Sequence, residues 1–419
     1  MASMRVLVMG SGLLGVVTAY VLASRGHSVT VIERKSESAA ETSFANGGQL
    51  SYSHAEPWAN PHMLGKLPAW LFRADSPLIF RPRLDLDMIR WGIAFLRNCT
   101  AARAAENCAN TLRLALYSRE KMAVLMRETG IAFDYAEKGI LHIFDHEESF
   151  RHARMQAAFQ ARFGCEETPL SRDEVLALEP ALAATGRPLI GGMLATLDAS
   201  GDARTFCIRL AEWCERKLGV TFHYRTEIEA VRRSGGRVDA LVAGGQTFTA
   251  DAYVAALGSY TSLLKSIGLR LPIYPMKGYS ITLPANDATP HISLTDGSYK
   301  IVFSRLGDRL RVAGTAEFAG HDARIMPKRI APIIAAAKTL LPLAAWDAPR
   351  EEWACLRPST PRGTPTLGRT PYANLFLNTG HGTLGWTLAA GSAFAVADVI
   401  EGHAPEIDLS GLTLKGAAS

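Results

Sequence analysis

The chain has 419 residues, 48% of them hydrophobic and 20% charged, which describes a soluble globular protein large enough for two domains. Its net charge of +5 (45 basic against 40 acidic residues) is too mild to point to nucleic acid, although it suits an anionic membrane surface. Six scattered cysteines with no C-x-x-C speak against a zinc site or a disulfide framework, and no apolar run reaches the roughly 18 residues of a spanning helix.

The N-terminus passes almost at once into an apolar run, Val6-Leu7-Val8-Met9, which leaves no room for a cleaved leader and predicts a cytoplasmic protein. Gly10-Ser11-Gly12-Leu13-Leu14-Gly15 follows, then an apolar helix and a second strand ending in Ile32-Glu33-Arg34. This is the layout of a dinucleotide site. Gly10 permits the tight turn, Gly12 lets backbone approach a pyrophosphate, and Gly15 lets the helix lie against the strand. The helix N-terminus offers free N–H groups to phosphate, and Glu33 can accept from ribose hydroxyls. The hexamer alone does not choose between FAD and NAD.

Thr42-Ser43-Phe44-Ala45-Asn46-Gly47-Gly48-Gln49-Leu50 is rich in small residues and reads as backbone running close to a flat ligand. Between residues 55 and 98, tryptophan, leucine and phenylalanine are interleaved with proline, lysine and arginine. That segment reads either as an irregular lid or as a surface that docks on lipid headgroups or admits an apolar electron acceptor. Apolar spacings of three and four predict helices over 86–129, followed by a strand at Ile140–Phe144 and a helix within 145–165.

Further on, Asp202 is expected to cap a helix over Ala203–Lys217. Ile228–Val231 and Val238–Val242 form a hairpin through Ser234-Gly235-Gly236, and a buried strand runs into Gly258. Strands at Ser280–Leu283, Tyr299–Phe303 and Leu310–Gly314 suggest an antiparallel sheet distinct from the parallel layer. Near the end, strand Leu375–Asn378 meets Thr379-Gly380-His381-Gly382-Thr383-Leu384-Gly385 and a closing helix, which repeats the physics of the opening motif.

Five stretches in order resemble one family: Gly10–Glu33, Thr42–Leu50, Tyr274-Pro275-Met276-Lys277-Gly278-Tyr279-Ser280, Leu356–Gly368 and Asn378–Thr387. The chain resembles bacterial D-amino-acid dehydrogenases of the FAD-containing small-subunit type, within the D-amino-acid oxidase and glycine oxidase superfamily. The resemblance implies an α/β fold: a discontinuous Rossmann-like FAD-binding domain (1–55, 196–265 and 350–419) and a second α+β substrate domain built on an antiparallel sheet (56–195 and 266–349). Residues 56–98, the segment read as either a lid or a membrane- or acceptor-docking surface, fall in the second domain.

By the same resemblance Gly10, Gly12, Leu13, Leu14, Gly15, Glu33 and Arg34 take the ADP half of FAD. Thr42, Ser43, Asn46, Gly47, Gly48 and Gln49 would line the pyrophosphate and flavin, Ile228 and Gly258 the adenine side. Gly380, Gly382, Thr383, Leu384 and Gly385 would meet the pyrimidine edge of the ring. Arg357 matches the arginine that holds the substrate carboxylate, and Tyr279 is expected as a pocket hydroxyl. Lys277, Tyr299, Arg305 and His54 are weaker pocket candidates, and His381 is expected to position backbone rather than exchange protons. Cys355 lacks the Cys-x-Tyr-Thr context of covalent flavin attachment, so FAD is expected to be non-covalent, and no metal is expected.

The implied reaction is oxidative deamination of a D-amino acid to a 2-oxo acid and ammonia by hydride transfer to flavin N5. Electrons would pass to a quinone or another non-oxygen acceptor, with the protein peripheral on the inner face of the membrane. The rivals are a related amine or imino-acid oxidoreductase (a D-hydroxyproline dehydrogenase, or an oxidase acting on glycine or sarcosine) and a flavin-binding subunit without turnover.

Overall fold

The computed structural model describes residues 3–65, 78–81 and 83–414. The stretch 66–77, within the segment read as a lid or docking surface, lies outside the described residues. Two large sheets carry the molecule. The first has six strands in the order Thr366–Arg369, Leu375–Thr379, Ala252–Ala255, Arg5–Met9, Ser28–Ile32 and Thr221–His223. All are parallel except the Thr366–Arg369 edge. Such a sheet must be covered on both sides, which is why its strands read as unbroken apolar runs.

Alternation along Arg5–Met9 assigns the two faces. Val6 and Val8 point into a core built with the helices Leu13–Ser24, Ala203–Leu218 and Gly385–Glu401, while Leu7 and Met9 face a three-stranded sheet formed by Ile228–Ser234, Arg237–Ala243 and Gln246–Phe248. The predicted hairpin and the Asp202 cap both form, with Asp202 accepting from Thr205 N at 2.9 Å. The long helix Ala101–Thr129 also packs into the first of these cores, through Leu114, Tyr117, Met122 and Leu125. Gly391 in the last helix makes that contact close, since a Cβ there would stand 2.8 Å from Ser118 N. The expected break at residue 56 therefore separates this helix from the core it serves.

The second sheet is largely antiparallel, in the order Glu351–Ser359, Tyr274–Pro284, Arg309–Phe318, Ile301–Leu306, Ser293–Asp296, Ile140–Phe144, Gly191–Ala195 and Glu167–Ser171. Leu78–Phe80 adds a short parallel strand beside Arg309–Phe318. Along Tyr274–Pro284, Tyr279, Ile281 and Leu283 face an apolar core closed by the helix Pro327–Leu340. Ser280 and Thr282 face the other way: Ser280 Oγ donates to Ala45 O at 2.6 Å, and Thr282 Oγ1 accepts from Arg311, whose guanidinium also holds Asn46 O. The small-residue loop is thus clamped between the two sheets.

Two elements escape the sequence reading. Glu351–Ser359, to which the sequence reading assigns no element, is a nine-residue strand, which its place at the sheet edge permits despite Pro358. The helix Pro327–Leu340 carries Pro332 inside it, which masks its periodicity.

Candidate active site

An elongated cleft runs along the ends of the parallel strands, between the two sheets. At one end lies the opening motif. Gly10 turns with φ +98°, and a Cβ at Gly15 would stand only 1.9 Å from Gly10 O, so the helix Leu13–Ser24 rests directly on the turn. Gly12 caps that helix in an extended conformation with no side-chain cap, which leaves first-turn N–H groups facing the cleft; Ser43 Oγ accepts from Leu13 N at 3.2 Å. The Glu33 carboxylate is fixed at the strand end by Ser11 N (2.8 Å), Ser11 Oγ (3.0 Å) and Lys35 N (2.8 Å). Arg34 lies 3.8 Å over the Tyr260 ring and pairs with Glu41, while Ile228 and Gly258 complete this wall.

At the other end Gly380 and Gly382 adopt φ +82° and +54°. Gly382 faces open space, and the helix Gly385–Glu401 starts without a side-chain cap. Two helix N-termini whose own N-cap residues provide no side-chain cap, contributed by opposite ends of the chain, therefore look into one cleft. That arrangement fits a ligand with phosphates at one end and an electron-rich ring at the other. His381 is buried beneath the second turn, 2.9 Å from Ser392 Oγ, and burial lowers its pKa to about 3. It is neutral at physiological pH.

Arg357 enters from the strand Glu351–Ser359, on the same face as Cys355, and both line the cleft. Its Nη1 donates to Thr315 O at 3.4 Å, and among the described residues its guanidinium meets no carboxylate. A planar cation without a carboxylate partner at the ring end of a cleft is suited to a carboxylate.

Other expected residues are distributed differently. Tyr279 does not reach the cleft. It sits one position after Gly278, so strand alternation turns its ring to the opposite face, where the hydroxyl donates to Glu317 at 2.8 Å. Lys277 points the same way, buried, with Nζ donating to Arg324 O at 3.0 Å. Tyr299 is exposed against the guanidinium of Arg187, and Arg305 donates to Thr289 O. His54 stands 5.0 Å, ring to ring, from His142.

Within the loop, Thr42, Ser43 and Asn46 line the cleft, whereas Gly47 and Gly48 press on Val302 and Ser304 of the second sheet. Gln49 donates to Ser293 and Leu294 of that sheet. Thr383 and Gly385 line the cleft; Leu384 instead turns into a small aromatic cavity with Trp58, Trp91 and Phe318. Residues missed at the sequence level include Ala256, Ser259 and Tyr260, just beyond the strand Ala252–Ala255, and Thr379, the last residue of the strand Leu375–Thr379. Their signal is the strand-end position itself, where α/β sheets bind ligands.

Comparison with known proteins bears on family and fold. Residues 5–399 match the family described as FAD dependent oxidoreductase. The D-amino acid dehydrogenase of Dechloromonas aromatica (strain RCB) is 45% identical over 411 residues, covering 96% of this chain and 98% of that protein. That of Paramagnetospirillum magneticum is 46% identical over 413 residues, with 98% of each covered. Among solved structures, glycine oxidase from Geobacillus kaustophilus superposes with TM-score 0.78 at 24% identity over 99% of both chains. L-proline dehydrogenase from P. horikoshii gives 0.76 at 16% identity, over 98% of this chain and 96% of that one. At these identities the structural likeness bears on fold alone.

Proposed function

The chain belongs to the family of FAD dependent oxidoreductases, and from that premise we propose that it is a D-amino-acid dehydrogenase that deaminates D-amino acids to 2-oxo acids and ammonia. The observation that carries this reading is Arg357, a guanidinium without a carboxylate partner among the described residues at the ring end of the cleft. Relatives named for that substrate class, aligned over nearly the full length, support it.

The opening glycine turn and Glu33 would hold the ADP half of FAD, and the turn from Gly382 to Gly385 the ring. FAD bound there would supply a two-electron acceptor for the hydride of the substrate's Cα–H bond. Arg357 fixes the carboxylate by a two-point fork, which orients Cα toward the ring. As the Cα–H bond breaks, the lone pair of the neutral amine closes the C=N bond, and water then hydrolyses the released iminium to the 2-oxo acid and ammonium. Neutral, buried His381 exchanges no proton on this path and acts by holding the turn.

Cofactor attachment is non-covalent in this reading. Burial raises the pKa of the Cys355 thiol against the opposing charge of Arg357, which disfavours the reactive thiolate. Electrons leave to a quinone or another acceptor held at a lipid surface, a reading supported by the helix Leu86–Asn98. Trp91 and Phe95 are buried on one face, while Leu86, Ile89, Ile93 and Leu96 are exposed on the other. Among the described residues no helix is long and apolar enough to cross a membrane.

Anaerobic addition of D-alanine should bleach the flavin spectrum, and L-alanine should not. An unchanged spectrum across a panel of D-amino acids, D-hydroxyproline, glycine and sarcosine would leave a flavin-binding protein without turnover. Peroxide formation with oxygen as the sole acceptor would make it an oxidase. Arg357→Met should raise KM for D-alanine about a hundredfold with FAD retained, the cost of a lost charge-assisted contact of about 3 kcal/mol.

A further inference from the structure

Gly278 lies in the middle of the strand Tyr274–Pro284, where a glycine weakens the sheet and marks a close approach. What approaches it is the Arg357 guanidinium. A Cβ built at Gly278 would stand 2.4 Å from Arg357 Cζ, 2.4 Å from Nη2 and 2.9 Å from Nε. Gly278 pairs with Cys355, and Arg357 is two residues further along that strand, so its side chain folds back diagonally over the glycine on the cleft face.

The strand on the other side of Gly278 is shaped to match. Lys277 pairs with Glu317 but Tyr279 with Gly314, so two residues, Thr315 and Ala316, oppose the single Gly278. This is a β-bulge, a device that re-aims groups beside functional sites. Thr315 takes the left-handed φ of +57°, which a β-branched residue rarely adopts, and its carbonyl accepts from Arg357 Nη1 at 3.4 Å. Bare backbone below and a turned carbonyl beside it thus form a bed for one guanidinium.

We propose that Gly278 is a positioning residue for the substrate carboxylate: its missing side chain, together with the Thr315 bulge, sets where the Arg357 fork lies. The proposal rests on the reading of Arg357 as carboxylate anchor. The atoms a Cβ would strike are the far end of a flexible side chain rather than backbone, so alanine at 278 displaces the fork and leaves the fold in place.

The test is a double-mutant cycle on the holoenzyme, with D-alanine and a dye acceptor, using Gly278→Ala, Arg357→Lys and the two combined. Gly278→Ala should raise KM about tenfold or more, with kcat within about threefold and FAD content unchanged, because it displaces the anchor and not the chemistry. Lysine has no planar fork to displace, so adding Gly278→Ala to Arg357→Lys should change KM by less than about twofold. An unchanged KM in Gly278→Ala, or equal fold-changes in both backgrounds, overturns the proposal. If Arg357→Lys itself leaves KM unaltered, the anchor reading has failed instead, and the proposal falls with it. Should Gly278→Ala alone fail to fold, folding of the double variant supports the clash with the guanidinium; failure of both overturns it.

Discussion

The hydroxyl of Tyr279 donates to Glu317 in a buried cluster that also contains Lys277, on the face of the second sheet turned away from the cleft. Burial pushes the Glu317 carboxyl up, but the Tyr279 hydroxyl and Arg81 outweigh it and hold the pKa below the usual range. Tyr279→Phe should therefore cost about 1–3 kcal/mol in denaturant unfolding, the penalty for stripping a partner from a buried charge. KM for D-alanine should stay within about twofold, because the side chain faces away from the cleft. A tenfold rise in KM without loss of stability would return the tyrosine to the pocket. At this scale the sequence named the segment around residue 279 but not its orientation. A one-residue step along a strand reverses the face, and only the register with Cys355 and Ala354 fixes which residue looks inward.

The helix Leu86–Asn98 is the element with an unsettled surface. A helix packed on one side should be polar on the other, yet this one repeats apolar side chains on both. Its inner face joins Phe80, Tyr274 and Phe318 in an aromatic cluster, and Arg90 and Arg97 stand exposed beside the outer apolar stripe. Such a pattern suits an anionic bilayer, to which each nearby basic residue contributes about 1 kcal/mol. Ile89→Glu/Ile93→Glu should abolish co-flotation with phosphatidylglycerol vesicles and leave dye-linked turnover with D-alanine unchanged. Undiminished flotation would remove the helix as the docking element. Periodicity revealed this helix in the sequence; which of its two apolar faces is covered came only from the packing of Trp91 and Phe95.

For the whole molecule, three titratable groups, Asp198 and His381 buried and Glu167 half-buried, set opposing pH trends. Asp198 accepts from Ser53 N and Oγ, and burial raises its pKa from 3.8 to about 7. Burial raises Glu167 from 4.5 to about 7. Between those limits the folded state binds more protons than the unfolded chain, so these acids make stability fall as pH rises from about 4 to about 7. His381 acts in the opposite sense. Its folded pKa of about 3 lies below 6.5, so the unfolded chain binds the extra proton and stability falls as pH drops through that interval. Asp198→Asn, which keeps an oxygen for Ser53, should gain a few kcal/mol over the parent at pH 8 and almost nothing at pH 4, in urea unfolding of the holoprotein. An equal gain at both values would mean the carboxylate does not titrate as described.

Local pattern determined the parts of this protein that depend on local chemistry. The glycine turns at Gly10–Gly15 and Gly380–Gly385, the Asp202 cap, the hairpin at residues 234–236 and the apolar parallel strands need only neighbouring residues to be specified. They were enough to indicate a dinucleotide site and a second, antiparallel sheet. The tertiary structure decided everything that depends on pairing between distant segments: Arg357 on an edge strand, Tyr279 turned away, Ala101–Thr129 in the first core, and Gly278 under a guanidinium 79 positions further along the chain. The physical reason is that a residue's face and neighbours in a sheet follow from register and edge position. Those are set by which strand lies alongside, and the chain between Gly278 and Arg357 carries no local record of that choice.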